Sequence, residues 1–302
     1  MKNFFGVTLL VFALSYIVQA QEAGQTGLAF LKIGVDARAA GMGDAYTSIA
    51  RDAAATYWNP AGLARTNSNS VVLTHNSWLQ DINHEFIAVQ MFNGRHNIAL
   101  SLNMLFVSGI ELRDDRATEI PYGETSAHNI ALAGSYATTI FETWQVGAQI
   151  KYLYEKYYLE SADGFAFDLG LLHQNLLDDL NFGFVIQNIG SMSKLRNEET
   201  PLPLTAKAGL SYRLPWEMLQ SRPLMAADFS YYKGSNGRVN LGLEYDLYSY
   251  MTLRTGYVIG SETMNFTAGI GINYQPLTIS YAFVPFQYDL GNSHRFSLVW
   301  NL

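Results

Sequence analysis

Met264-Asn265-Phe266-Thr267-Ala268-Gly269-Ile270-Gly271-Ile272-Asn273-Tyr274 places an apolar side chain at every second position. The alternate positions hold Asn, Thr and Gly. A period of two defines an extended strand with one apolar face and one wet face. The same alternation returns at Val239/Leu241/Leu243/Tyr245 against Asn240/Gly242/Glu244/Asp246, and at Phe165/Phe167/Leu169/Leu171 against Ala166/Asp168/Gly170/Leu172. Trp144, Val146, Ala148, Ile150 and Tyr152 repeat it against Gln145, Gly147, Gln149 and Lys151.

Working outward, about fourteen strands are predicted, most about 8 to 12 residues long, near the length of a tilted membrane strand. Their spans are 69–79, 84–92, 96–107, 127–139, 144–155, 164–172, 180–187, 204–214, 224–232, 238–246, 251–259, 264–274, 277–286 and 294–302. The first two and the ninth alternate poorly. Connections after even strands are short, as at Asn93-Gly94-Arg95 and Gln275-Pro276, except near Pro215 to Pro223. Those after odd strands include the longest, near Ser108 to Ser126 and Asn188 to Pro203. Short turns at one end and long loops at the other are the pattern of an outer-membrane barrel, with both termini on the periplasmic side of a Gram-negative outer membrane. Phe296, Leu298, Trp300 and Leu302 alternate through the last strand, and aromatic residues such as Tyr136, Trp144, Tyr152 and Tyr281 fall near strand ends, where girdles belong. A secreted soluble sandwich would also alternate, but with more charge on its outer face. The fold class is therefore all-β: an antiparallel transmembrane β-barrel whose outer face meets membrane lipid.

Composition agrees. Of 302 residues, 49% are hydrophobic and only 15% charged, against about 25% charged in an average soluble domain. Met1 to Ala20 has a lysine, an apolar run and a small-residue cleavage site, and reads as a signal peptide. No other run is long enough for a membrane helix. There is no cysteine, which excludes disulfides and a lipid-modified cysteine. A net charge of −7 without a basic cluster argues against nucleic acid as a partner.

One segment does not alternate. Gly34 to Ala64 is rich in Ala and Gly and ends in Tyr57-Trp58-Asn59-Pro60-Ala61-Gly62-Leu63. Asp52 can cap a short helix over the following alanines, and Asn59 before Pro60 is an N-cap and first-position pair. Helices this short need walls around them. Eight strands are filled by their own side chains whereas sixteen leave a channel, so a barrel of fourteen needs a filler. The chain is thus predicted to comprise a leader (1–20), a hatch of short helices inside the lumen (21–67) and the barrel (68–302). Gly41, Gly43 and Gly62 are expected to let the hatch backbone approach the wall. Trp58 is expected to anchor it against inward apolar residues such as Leu105 or Leu153.

Catalytic and metal chemistry find no constellation. Six histidines (His75, His84, His96, His128, His173, His294) lack metal-ligand spacing and read as loop or girdle residues. Gly234-Ser235-Asn236-Gly237 resembles a lipase serine string, but Lys233 stands where a base is required, and Asn-Gly is a strong hairpin signal. Gly41-Met42-Gly43 lacks the third glycine of a dinucleotide fingerprint. No catalytic residue, metal site or cofactor is expected.

Ala37-Arg38-Ala39-Ala40-Gly41-Met42-Gly43-Asp44-Ala45 and Thr56-Tyr57-Trp58-Asn59-Pro60-Ala61-Gly62-Leu63 resemble the PorV/PorQ family, relatives of the FadL channel. The resemblance implies a fourteen-stranded outer-membrane barrel with this segment, including Asn59-Pro60-Ala61, as a lumenal hatch. It leaves two functions open. One is a non-enzymatic part of a type IX-like secretion system that binds or shuttles secreted cargo proteins alongside other secretion-system subunits. The other is a FadL-like passage for small hydrophobic molecules, with the hatch as gate.

Overall fold

A computed structural model of the chain describes residues 26–115, 119–217 and 221–302. The expected leader lies outside them. Among the described residues, fourteen antiparallel strands close into one barrel. They are β1 (Ser70–Ser77), β2 (Asn83–Asn93), β3 (His96–Leu112), β4 (Gly123–Ile140), β5 (Trp144–Tyr157), β6 (Glu160–Leu177) and β7 (Leu180–Met192). The circuit continues with β8 (Thr205–Arg213), β9 (Leu224–Tyr232), β10 (Arg238–Leu247), β11 (Met251–Ile259), β12 (Phe266–Tyr274), β13 (Leu277–Pro285) and β14 (Asn292–Asn301). Each strand pairs with the next, and β14 closes on β1 from Ser70↔Asn301 to Ser77↔His294. A closed ring leaves no edge strand, which is the condition for a sheet to cross lipid.

The alternation resolves into an outside and an inside. Leu100, Leu132 and Phe165 point outward at 57, 51 and 53% exposure. An apolar band circling the wall is far larger than the patches soluble monomers leave in water, and lipid is what covers it. Inward positions are small or polar, such as Ser101, Gln149, Asn240 and Ser297, all buried. No described helix is long and apolar enough to cross a membrane; the wall crosses by strands.

The strands extend further than predicted on one side. β3 runs to Leu112 and β4 starts at Gly123, so much of the long connection read at 108–126 is paired strand. A bulge hides it: the register jumps between Val107 and Ile110, where Gly109 has φ 71°. An inserted residue shifts the side-chain period and interrupts alternation in the sequence. β6 and β7 hide in the same way, with a jump between Phe167 and Leu169 opposite Asn188 at φ 62°. Beyond it, a small hairpin (Lys194–Leu195 with Glu198–Glu199) occupies part of the connection to β8. The two ends are also less distinct than the loop lengths implied, since β5 and β6 join through Tyr158-Leu159 alone. The poor alternation of β1, β2 and β9 has another cause. Their inward residues Val72, Phe86, Ala88, Leu224 and Ala226 are apolar because they touch the hatch core.

The segment before β1 fills the lumen. A 3-10 turn (Ala29–Lys32), α1 (Ala37–Gly41), α2 (Ala55–Trp58) and a second 3-10 turn (Pro60–Arg65) follow one another. Helix α1 packs on β11 to β14, and the Pro60–Arg65 turn packs on β3 to β6 across the lumen. Between them, Val35, Met42, Tyr46, Ile49, Trp58 and Leu63 form a core with inward wall residues. A second cluster joins Leu28, Phe30 and Leu31 to Leu105 and Leu153. The alanine richness of the segment follows from this placement: Ala37, Ala39, Ala45, Ala53 and Ala61 are all fully buried, where larger side chains would overpack.

Candidate functional site

Where hatch meets wall, most of the expected residues act as anchors. Asp36 caps α1, its carboxylate accepting from the Arg38 amide at 3.2 Å. This aims Arg38 at β10. Its Nε and Nη2 each donate to Glu244 at 2.7 Å, a bidentate pair, and Nη1 donates to the Tyr46 hydroxyl at 3.1 Å. Arg254 of β11 donates to the same carboxylate at 2.7 Å and to Ser280 at 3.3 Å. All three charged groups are buried. Two guanidiniums around one carboxylate form strong, directional bonds, and removing one member strands the others without water.

The next turn brings backbone against backbone. A β-carbon on Gly41 would lie 3.0 Å from the Gly269 α-carbon of β12. Gly43 has φ 63° and lies as close to β11 and β10, while its amide donates to Thr267 at 3.0 Å. Both glycines therefore sit against the wall, and neither position accommodates a side chain without displacing strand backbone. Asp44, also left-handed at φ 62°, turns its carboxylate toward Arg295 of β14, 4.0 Å away. The amides of Tyr46 and Thr47 donate to Asp228 of β9 at 2.9 and 2.7 Å.

Trp58 is fully buried, but not where it was expected. Leu105 and Leu153 close over Leu28 and Phe30 instead. The indole donates to the Val35 carbonyl at 3.1 Å, meets Tyr46 and Tyr57 edge-on, and carries the Lys207 ammonium of β8 at 4.7 Å from its ring centre. A buried ammonium over an indole face is a favourable cation–π contact, and this charge could not be foreseen from the hatch sequence.

Asn59 is the hub of the second half. Its Oδ1 accepts from the Ala61 amide at 3.2 Å, capping the turn that Pro60 begins. Its Nδ2 donates at 3.1 Å to two carbonyls, Thr47 in the hatch and Leu171 in β6, with Phe184 of β7 at 3.4 Å. The room for this comes from the wall: Gly170 faces Asn59 and Gly147 faces Pro60 and Ala61, each with its β-carbon position occupied by hatch atoms. Gly62 departs from expectation. A β-carbon there would strike Ala50 and Ala55 of the hatch itself, so it serves packing within the plug rather than approach to the wall.

The partners missing from the sequence reading are the inward charges Glu244, Arg254, Asp228, Lys207 and Arg295. Their signal was present as isolated charges on faces otherwise made of Gly, Ser and Asn. His84 was misread with its fellows: it lies in the lumen, 2.6 Å from Asn103, not in a girdle or loop. His96, His173 and His294 do stack or meet edge-on with Tyr136, Trp144 and Tyr281. Ser235 sits in the β9–β10 turn, its hydroxyl donating to the Tyr232 carbonyl at 3.3 Å. Asp52 is buried and its carboxyl pKa rises to about 6, desolvation outweighing Arg51 and the bond from the Ala54 amide. Between them, the hatch anchors tie the plug to strands on both sides of the lumen.

A closed fourteen-stranded barrel with an apolar outer band and a polar lumen filled by its own N-terminal segment is an outer-membrane protein. The sequence pattern of the family described as "Type IX secretion system protein PorV" matches residues 17–200. The chain belongs to the PorV family. In structure it is similar to the Ralstonia pickettii toluene transporter TbuX (TM-score 0.60, 13% identity, 88% of this chain and 97% of that one). It is also similar to the Pseudomonas putida toluene transporter TodX (0.58, 13%, 88% and 96%) and to a Pseudomonas aeruginosa FadL homologue (0.56, 12%, 87% and 97%). Identities this low establish the fold alone. No curated protein matches the sequence significantly.

Proposed function

We propose that the chain is a sealed outer-membrane component of a type IX-like secretion system, a non-enzymatic barrel that binds secreted proteins at its outer loops. The observation that carries this reading is the fixation of the hatch. It is tied to β10 and β11 through Arg38, Glu244 and Arg254 and to β6 and β7 through Asn59, with glycine-to-backbone contact between. A plug anchored at both ends suits a binding platform better than a gate. In this reading residues 1–20 are a cleaved leader, 21–67 the hatch and 68–302 the barrel. Both termini face the periplasm, and the rim bearing the 113–122 and 193–204 connections faces out to meet cargo or partner subunits. Outer-membrane lipid surrounds the wall.

The test uses the absence of native cysteine. The Ala37 amide donates to Ser297 Oγ at 2.7 Å, so Ala37→Cys with Ser297→Cys places two thiols across the hatch–wall seam. In cells lacking the native gene, the oxidised, cross-linked protein is expected to support secretion as well as its reduced form. Loss of secretion on cross-linking, or unchanged secretion in cells lacking the protein altogether, contradicts the proposal. A defect confined to uptake of small hydrophobic compounds would favour the gated channel.

A further inference from the structure

At the barrel mouth where odd strands pass to even ones, a cavity of about 200 Å³ lies between the hatch and β9 to β14. One side is cationic: Lys32 from the hatch, Arg238 from β10 and Arg295 from β14. The other is apolar, built from Trp78, Met264 and Phe286, with Trp78 and Phe286 edge-on at 5.0 Å. Arg295 is the unusual member. It is 2% exposed, yet its Nε and Nη1 have no hydrogen-bond partner, and the nearest carboxylate oxygen, Asp44 Oδ1, is 4.0 Å away and itself unbonded. A buried guanidinium normally has its donors satisfied, because each unmet bond costs the full desolvation of that group. Three cations against one lining carboxylate leave the cavity with an excess of positive charge.

We propose that this cavity binds a small organic carboxylate, its anionic head bonded by Arg295 beside Arg238 and Lys32, its apolar body against Trp78 and Phe286. A guanidinium bonds carboxylate in a planar, two-pronged geometry. The volume holds roughly six or seven waters' worth of ligand and falls below the range of drug-sized pockets. It therefore admits one ring or a short chain, supplied by a free acid or by the C-terminal residue of a peptide. The Lys32 ammonium has its pKa lowered by burial and by Arg238, a repulsion that a bound anion relieves. The site stands independently of the secretion reading, since it needs neither a cargo nor an orientation in the membrane.

The test is binding to the purified full-length protein in detergent. Sodium benzoate is compared with benzyl alcohol, and a short peptide ending in a free-acid phenylalanine with its amide. The carboxylate member of at least one pair is expected to bind about tenfold more tightly or better, a gain of about 1.4 kcal/mol. Arg295→Gln is expected to cut that preference to about twofold or less. Should that variant not fold, Arg238→Gln at the rim is expected to weaken it several-fold. Preference in the benzoate pair alone identifies a free acid, and in the peptide pair alone a chain terminus. No preference in either pair overturns the proposal, as does a preference that survives every folded variant.

Discussion

Asn59 does the work of several residues, because a carboxamide both accepts and donates. Its oxygen caps the Pro60 turn while its nitrogen reaches carbonyls in the hatch and in β6. Asn59→Ala is expected to lower unfolding stability by about 2 kcal/mol, the order of a lost buried pair with its partners unsatisfied. Asn59→Asp keeps the cap but replaces the donor with a charge facing carbonyl oxygens, and its loss should be larger. Urea unfolding followed by tryptophan fluorescence separates the two; an Asn59→Asp variant as stable as the parent would mean that only the cap matters. Asp52 presents the opposite case, a buried acid whose folded pKa lies above its unfolded value. The folded state then holds the extra proton, so its relative stability is greatest below about pH 4 and falls as pH rises to about 6. Asp52→Asn keeps an oxygen for the Ala54 amide and removes the charge. It is expected to stabilise the protein by about 3 kcal/mol at pH 8 and to leave it unchanged near pH 4.

At the scale of elements, the hatch is held by pairs between one short helix and several strands. Glu244 is the member whose removal leaves two buried guanidiniums facing each other without a counter-charge. Glu244→Gln is accordingly expected to cost about 3–5 kcal/mol, and Arg38→Gln less, because Arg254 still neutralises the carboxylate. The reverse order in thermal unfolding would place the anchor elsewhere. Strand identity was legible wherever inward residues were small or polar, as at Phe266 to Tyr274. It faded where hatch contact made the inward face apolar, at Val72, Phe86 and Ala226, and where bulges at Gly109 and Asn188 broke the period. The anchors on the hatch were legible for a related reason: Gly41, Gly43 and Asn59-Pro60 carry local backbone signals. Their partners on the wall were not, because the pairing of Arg38 with Glu244 or Trp58 with Lys207 depends on closure of the barrel and leaves no local trace.

For the whole molecule, fourteen strands enclose more space than their own side chains fill, and some forty residues of N-terminal chain supply the difference. The outer surface is apolar, the inner one polar, and the plug meets the inner surface on opposite sides with buried charge pairs and bare backbone. A lumen filled in this way is expected to pass nothing while the hatch stays seated. The direct measurement of that claim is ion conductance of the purified protein in a planar lipid bilayer. A seated hatch is expected to give no steady conductance at moderate voltage, and deletion of residues 26–67 is expected to open steps of porin size. Steady conductance from the intact protein, unchanged by that deletion, would contradict a lumen sealed by its own N-terminal segment.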